Sequence, residues 1–326
     1  MISRRGYPTE THFVTTADYY ILQMHRIPNP GKPVVFLQHG LLGASSDWIV
    51  LGPELGLAYI LYNAGYDVWM GNARGNTYSR NHTFLNPDKD SDFWRFTWHH
   101  MGVYDIAAEL DHVTSVSGEE QVVYIGHSMG TTMFWILCSE KPKYNAKIKQ
   151  MHALAPVAFM GKVRSPLRLM APFVMQIEWL LEMIGVDEFL PSNNFFTFMG
   201  QAACRDEALF QIVCSNIVFL IAGYDSAQMN ETTLPVLMDH NPAGSSTKTF
   251  VHYAQEMNSW KFEMFNFGYF DNKDMYGVRD PPDYRLEKAS IRVPLDAFNH
   301  LDFVWAMDVR SLLYDTIVSL LKNPLP

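Results

Sequence analysis

The chain has 326 residues, 48% of them apolar and 18% charged, which is long and apolar enough to bury a sizeable core and excludes disorder as the main state. Its 25 Lys and Arg against 34 Asp and Glu leave a formal charge of −9 with no basic run to track phosphates, which argues against nucleic-acid binding. Cys138, Cys204 and Cys214 are too few for a disulfide framework and form no Cys-x-x-Cys pair, so neither a structural metal nor a cofactor is expected.

In chain order, Met1-Ile2-Ser3-Arg4-Arg5 runs straight into Gly6-Tyr7-Pro8 with no apolar region, so no secretory leader is read there. Residues 12–15 and 19–25 read as paired strands, and 34–38 as a short apolar strand ending at His39-Gly40. Residues 57–64 read as a helix, and 67–70 as a strand that ends in the turn Gly71-Asn72-Ala73-Arg74-Gly75. Helical spacing over 104–113, a β-branched and aromatic run over 122–125, a helix over 131–138 and a strand over 151–157 follow. Short apolar strands separated by helices predict βαβ units, so the expected fold class is α/β, a mostly parallel, doubly wound sheet covered on both faces.

From 166 to 284 the texture changes to Met-, Phe- and Trp-rich amphipathic stretches, read as a helical cap inserted between core segments 1–165 and 285–326. Strand character returns over 291–298 and a closing helix over 309–321. No transmembrane segment is expected, because the most lipophilic stretch, 170–184, is broken by Pro172, Gln176, Glu178 and Glu182. Within it, 173–184 fits equally a helix packed on the sheet and a lid that touches a lipid surface. Cys204 and Cys214 either close a small loop or remain buried thiols, and Cys138 reads as core. Two glycosylation sequons, Asn81-His82-Thr83 and Asn230-Glu231-Thr232, would matter in a secreted chain.

The chemistry is concentrated in Gly126-His127-Ser128-Met129-Gly130, directly after a predicted strand and directly before a predicted helix. A serine on that elbow is pushed out at the top of the sheet, where neighbouring chains leave no room for side chains at the two glycines, so Ser128 is the candidate nucleophile. His39-Gly40-Leu41-Leu42, at the end of the 34–38 strand, can present the Leu41 amide to a developing oxyanion, with the Met129 amide as second donor. A serine needs a base, and His300, in a loop between the last strand and the closing helix, fits best. His39 and His127 flank the two motifs, whereas His99, His100, His112, His152, His240 and His252 have no metal-ligand spacing and read as packing or surface residues.

Taken together, Gly6-Tyr7-Pro8-Thr9-Glu10, His39-Gly40-Leu41-Leu42, Tyr66-Asp67-Val68-Trp69-Met70-Gly71-Asn72-Ala73-Arg74-Gly75-Asn76, Gly126-His127-Ser128-Met129-Gly130, Asn241-Pro242-Ala243-Gly244 and Asn299-His300-Leu301-Asp302-Phe303 resemble the acid lipase family, the gastric and lysosomal lipases, within the α/β-hydrolase fold. The resemblance implies hydrolysis of triacylglycerols or steryl esters by a Ser128–His300 pair under the cap, in a secreted or lysosomal, glycosylated protein. Two departures stand out. Met129 replaces the family's usual Gln, which matters little because the backbone amide is what serves. More seriously, residues 283–291 run directly into what resembles the final strand, Arg292-Val293-Pro294-Leu295, so a strand, loop and helix of about 30 residues that carries the family's triad acid is expected to be missing. Asp225, Asp271 and Asp302 do not match that acid. A non-catalytic lipid-binding relative, or an inactive splice form or gene model, is the alternative reading, and amide cleavage is a third.

Overall fold

In a computed structural model of the chain, the described residues are 1–163, 165–169, 171–189, 234–284, 302–305 and 309–322. An antiparallel pair opens the sheet: β1 (Glu10–Thr15) lies against β2 (Ile21–Ile27), with Glu10 opposite Arg26 and Thr15 opposite Ile21. β1 is an edge strand whose alternation turns His12 and Val14 inward and leaves Phe13 exposed. β2 extends past the expected end at 25 and stops where Pro28 removes a ladder donor.

β3 (Val34–Gln38), β4 (Asp67–Met70) and β5 (Val122–His127) are buried along their whole length, as parallel strands covered on both faces must be. β6 (Ile148–Leu154) completes the order β1-β2-β4-β3-β5-β6, with the pairs β4/β3, β3/β5 and β5/β6 parallel. It begins and ends earlier than expected. The Leu154 carbonyl accepts the Ser128 N–H at 2.9 Å, Ala155 turns to φ 47°, and Pro156 has no N–H to continue the ladder.

Strand alternation divides the core in two. Phe36, Trp69 and Tyr124 face α2 (Ala107–Ser117) and α3 (Met129–Glu140), while Val35, Leu37, Val68 and Ile125 face α1 (Leu57–Asn63) and the closing helix. Each such large apolar side chain contributes about 1.5–3 kcal/mol on burial. The expected helix from 104 is displaced: Met101–Ile106 is a π turn, and α2 follows it to a left-handed Gly118. A methyl group on Gly102 would stand 2.8 Å from Ile136 Cβ and the Met133 carbonyl, so that turn lies hard against α3.

The segment 166–284, expected from sequence to form the cap, contains α4 (Val174–Met183), β7 (Glu188–Phe189), α5 (Leu234–His240), β8 (Ser245–Ser246), α6 (Thr247–Ser259) and α7 (Tyr269–Tyr276). α6 starts at Ser246, whose hydroxyl accepts the Lys248 N–H, a cap worth about 1 kcal/mol. Ala171 and Val174 pack on Val251, Ala254 and Met257, so α4 buries its narrow inner face on α6 rather than on the sheet. Tyr253, Phe262 and Tyr284 enter the sheet-side core beside Trp98, which roots the cap in the main domain. α8 (Asp315–Lys322) buries Ile317 on the opposite face of the sheet. No helix among the described residues is long and apolar enough to cross a membrane.

Candidate active site

Ser128 occupies the turn between β5 and α3 with φ 53° and ψ −118°, outside the regions an L residue ordinarily adopts. The surroundings hold it there. Its N–H goes to the Leu154 carbonyl, and its carbonyl accepts the Thr131 N–H at 2.9 Å and the Thr131 hydroxyl at 2.6 Å. The Thr131 hydroxyl oxygen in turn accepts the Val157 N–H at 2.9 Å. The flanking glycines are sterically required: a methyl group on Gly126 would lie 2.8 Å from the Gly130 carbonyl group, and one on Gly130 would lie 2.4 Å from the Gln38 carbonyl oxygen. Backbone strain of this kind costs on the order of 1–3 kcal/mol and persists only where packing over-determines it.

The loop after β3 meets this elbow. A methyl group on Gly40 would stand 2.9 Å from Ser128 Cβ and 3.1 Å from His127 Nδ1, so the residue preceding Leu41 lies against the Ser128 turn. Leu42 is left-handed at φ 60°, and Gly43 donates to the Gly40 carbonyl at 3.1 Å, curling the loop back on itself. Leu41 is half-buried, and Met129 is buried at the first position of α3. The amides of Leu41 and Met129 have no acceptor among the described residues. Helix N-terminal amides such as that of Met129 carry partial positive charge and suit a developing anion.

Beneath the loop lies a polar layer. His39 Nδ1 sits 2.7 Å from the Gly40 carbonyl and so carries the proton, leaving Nε2 to accept the Ala73 N–H at 3.0 Å. Burial pushes the His39 pKa down to about 4, so the ring is neutral and acts as a brace rather than a base. Asn76 Nδ2 reaches His39 Nε2, Asn72 Oδ1 and the Gly43 carbonyl within 3.4 Å, and Asn72 Oδ1 accepts the Ser45 N–H at 2.9 Å. The turn that supplies these groups is anchored by Arg74, which is fully buried and forks onto Asp105 and Asp18 under the ring of Tyr20.

Asp47 closes the layer from the other side. It is buried, its Oδ2 accepts the Ala44 N–H at 3.3 Å, and its Oδ1 accepts Asn241 Nδ2 of the cap at 2.9 Å. Burial raises its pKa to about 7, opposed by those two hydrogen bonds. The cap touches the loop directly as well, since Ala243 N–H donates to the Leu42 carbonyl at 2.7 Å and the Ala243 carbonyl accepts from Thr77 N–H at 2.8 Å.

Sequence reasoning therefore places Ser128, Leu41 and Met129 in one region of the structure. His300, Asp225, Cys204, Cys214 and Asn230 lie outside the described residues. Asp271 is exposed on α7, and Asp302 opens the short turn Asp302–Trp305. Six other histidines have packing or bridging surroundings: His252 stacks on Trp98, His99 hydrogen-bonds Tyr284 at 2.6 Å, His112 meets His12 at 3.2 Å, His100 bonds the Thr97 N–H, His152 lies on β6 and His240 ends α5. Cys138 is a free, partly buried thiol. Asp47, Asn76 and Thr77 were not singled out by the sequence as site residues. Asn76 and Asn241 stood in family-like motifs to which no role was attached.

A family profile described as alpha/beta hydrolase fold matches residues 33–199, and one described as a partial alpha/beta-hydrolase lipase region matches residues 1–52. Lipase 3 of Drosophila melanogaster is 40% identical over 98% of this chain and 91% of its own length. Gastric triacylglycerol lipase of Homo sapiens is 37% identical over 99% of this chain and 90% of its own. The Lipase 3 alignment has 358 positions, which 326 residues cannot fill, so at least 358 − 326 = 32 of them face no residue of this chain. In fold, the chain resembles a solved candidate lipase from Sulfolobus solfataricus, with a TM-score of 0.60 at 14% identity over 94% of this chain and 90% of that one.

Proposed function

The chain belongs to the acid lipase family of α/β-hydrolases, and from that premise we propose that it hydrolyses lipid carboxylic esters, triacylglycerols or steryl esters, through an acyl-enzyme on Ser128. The observation that carries this reading is the contact of the Gly40 position with the Ser128 elbow, which brings the loop of Leu41 and the first turn of α3 to the same serine. In the proposed reaction His300 takes the Ser128 proton as Oγ attacks the ester carbonyl. The oxyanion is met by the Leu41 and Met129 amides, each donor of this kind being worth about 10²–10³ in kcat. Collapse releases the alcohol with the proton from His300, and water, deprotonated by the same ring, frees the fatty acid. No cofactor or metal enters.

The acid that would orient His300 is missing in this reading. The unfilled alignment positions support that reading. Loss of the triad carboxylate costs about 10⁴ in turnover in serine proteases, so slow esterase activity is expected. The resemblance to gastric lipases also supports a secreted or lysosomal setting. Asn81 of the first sequon is exposed and open to glycosylation.

Labelling with a fluorophosphonate probe, alongside release of p-nitrophenol from p-nitrophenyl butyrate, tests the reading. Labelling that disappears in Ser128→Ala is expected, with measurable turnover in the parent chain only. No Ser128-dependent labelling and no product would refute it. The alignment gap favours one alternative, a lipid-binding relative without turnover, which would instead bind a non-hydrolysable ether lipid equally well with and without Ser128.

A further inference from the structure

The oxyanion loop is short of supports from its own side of the molecule. Gly40 is braced by His39 and Gly43 by Asn76, but Leu42, held at a left-handed φ of 60°, gives its carbonyl to a residue 201 positions away, Ala243 of the cap. That bond, at 2.7 Å, is among the shortest backbone contacts the loop makes. One residue before Pro242, Asn241 reaches past it to Asp47, and Asp47 returns to the Ala44 N–H, so residues 241 and 243 grip the loop on both sides of Gly43. There is no slack at Gly43, where a methyl group would lie 2.3 Å from Asp47 Oδ2. The gripping segment is itself fixed: Asn241 N–H returns to Leu237 of α5 at 2.9 Å, and the Ala243 carbonyl accepts both the Thr77 N–H and the Thr77 hydroxyl.

The Leu42–Gly43 peptide plane gives its carbonyl to Ala243 and its N–H to the Gly40 carbonyl at 3.1 Å, and that carbonyl lies in the same plane as the Leu41 N–H, so one hydrogen bond joins the clamped plane to the one that carries the amide. We propose that Asn241 is a positioning residue for ester hydrolysis: through Asp47, and by seating Ala243 on the Leu42 carbonyl, it holds the Leu41 amide aimed at the oxyanion site. This rests on the hydrolase reading above, because a fixed Leu41 amide has catalytic meaning only if Ser128 acylates. The cap then supplies part of the transition-state scaffold as well as cover for the acyl chain. The interaction made only with the developing oxyanion is the one at stake, so kcat falls while ground-state binding holds.

The experiment compares the parent chain, Asn241→Ala and Asn241→Asp for p-nitrophenyl butyrate hydrolysis and for the rate of phosphonylation by a fluorophosphonate probe. Asn241→Ala is expected to lower kcat and the phosphonylation rate tenfold to a hundredfold with KM within twofold, and to raise hydrogen exchange in peptides covering 40–45 without raising it in β5. Asn241→Asp provides the second reading. Two carboxyl groups at 47 and 241 can share a hydrogen bond only when one holds a proton, so its activity relative to the parent is expected to climb as the pH is lowered. Among the described residues, His39, Tyr78 and Tyr314 are the other titratable groups near Asp47, and all are present in both chains. Parent-like kinetics in Asn241→Ala, or a loss accompanied by faster exchange throughout the sheet, or a pH-independent ratio for Asn241→Asp, overturns the proposal. If the parent chain itself shows no Ser128-dependent labelling, the hydrolase reading fails instead, and this role for Asn241 falls with it.

Discussion

Two buried groups beneath the loop of Gly40–Gly43 titrate in opposite senses. His39, with its pKa pressed down to about 4, takes up its proton in the unfolded chain first. Its contribution to stability is therefore complete above the unfolded value of about 6.5 and is lost as the pH falls toward 4. Asp47, raised to about 7 from 3.8, is protonated in the folded chain first, so its contribution is complete below 3.8 and is lost as the pH rises toward 7. Between about pH 4 and 6.5 the slopes cancel, and a loop that brings one histidine and one aspartate together keeps a steady stability over that range. Asp47→Asn removes one of them. The stability of that variant relative to the parent is expected to rise by about 3 kcal/mol from pH 4 to 6.5, read from urea midpoints at each pH. A difference that does not change with pH would mean that Asp47 ionises normally. Ser128 could be read from sequence because its strained turn is encoded within five consecutive residues. Asp47 could not, because what gives it meaning is Asn241, 194 positions away.

At the level of elements, the strands buried on both faces were readable because continuous apolar runs have few other uses, whereas strand ends were set by contacts invisible to local patterning. β6 stops where Ser128 claims the Leu154 carbonyl, and β2 stops at a proline. α4 was readable as amphipathic but its orientation was not. Val174 and Glu178 turn inward, with Glu178 bonded to Lys248 at 2.7 Å, and Phe173, Met175, Trp179, Leu180, Met183 and Ile184 are left exposed. An apolar face of that size on a helix docked by so narrow a strip is suited to a lipid surface. Trp179→Ser combined with Met183→Ser is expected to weaken binding to phosphatidylcholine vesicles by tenfold or more, since each side chain transfers about 1.5–3 kcal/mol of apolar area. Thermal stability should be unchanged, because both residues are exposed, at 63% and 62%. Unaltered vesicle binding would count against a membrane role for α4, and a large fall in melting temperature would show that these side chains are covered in the folded protein.

For the molecule as a whole, the mostly parallel sheet and the strand-to-helix turn at Ser128 were legible in sequence, and the acid entered only as an expected gap. Among the described residues the six-stranded sheet ends at β6, and residues 285–301, where the sequence expects the last strand, are not among them. Catalysis by this family needs three elements from distant parts of the chain to agree within a fraction of an ångström, and a misplacement of 1 Å can cost about a hundredfold. A chain of 326 residues aligned over 358 positions has no residue for at least 32 positions of Lipase 3. If those positions include the acid and the strand that carries it, returning them should raise turnover and leave substrate binding alone. Insertion between Ser290 and Ile291, where the sequence reading expects the missing unit, of a strand, loop and helix taken from Lipase 3 is therefore expected to increase kcat for p-nitrophenyl butyrate by about 10⁴ with KM little changed. The gain should vanish when the carboxylate of the insert that orients His300 is replaced by its amide. Turnover in the parent chain already matching that of Lipase 3 would show that another carboxylate orients His300, and the missing-acid reading would then be wrong.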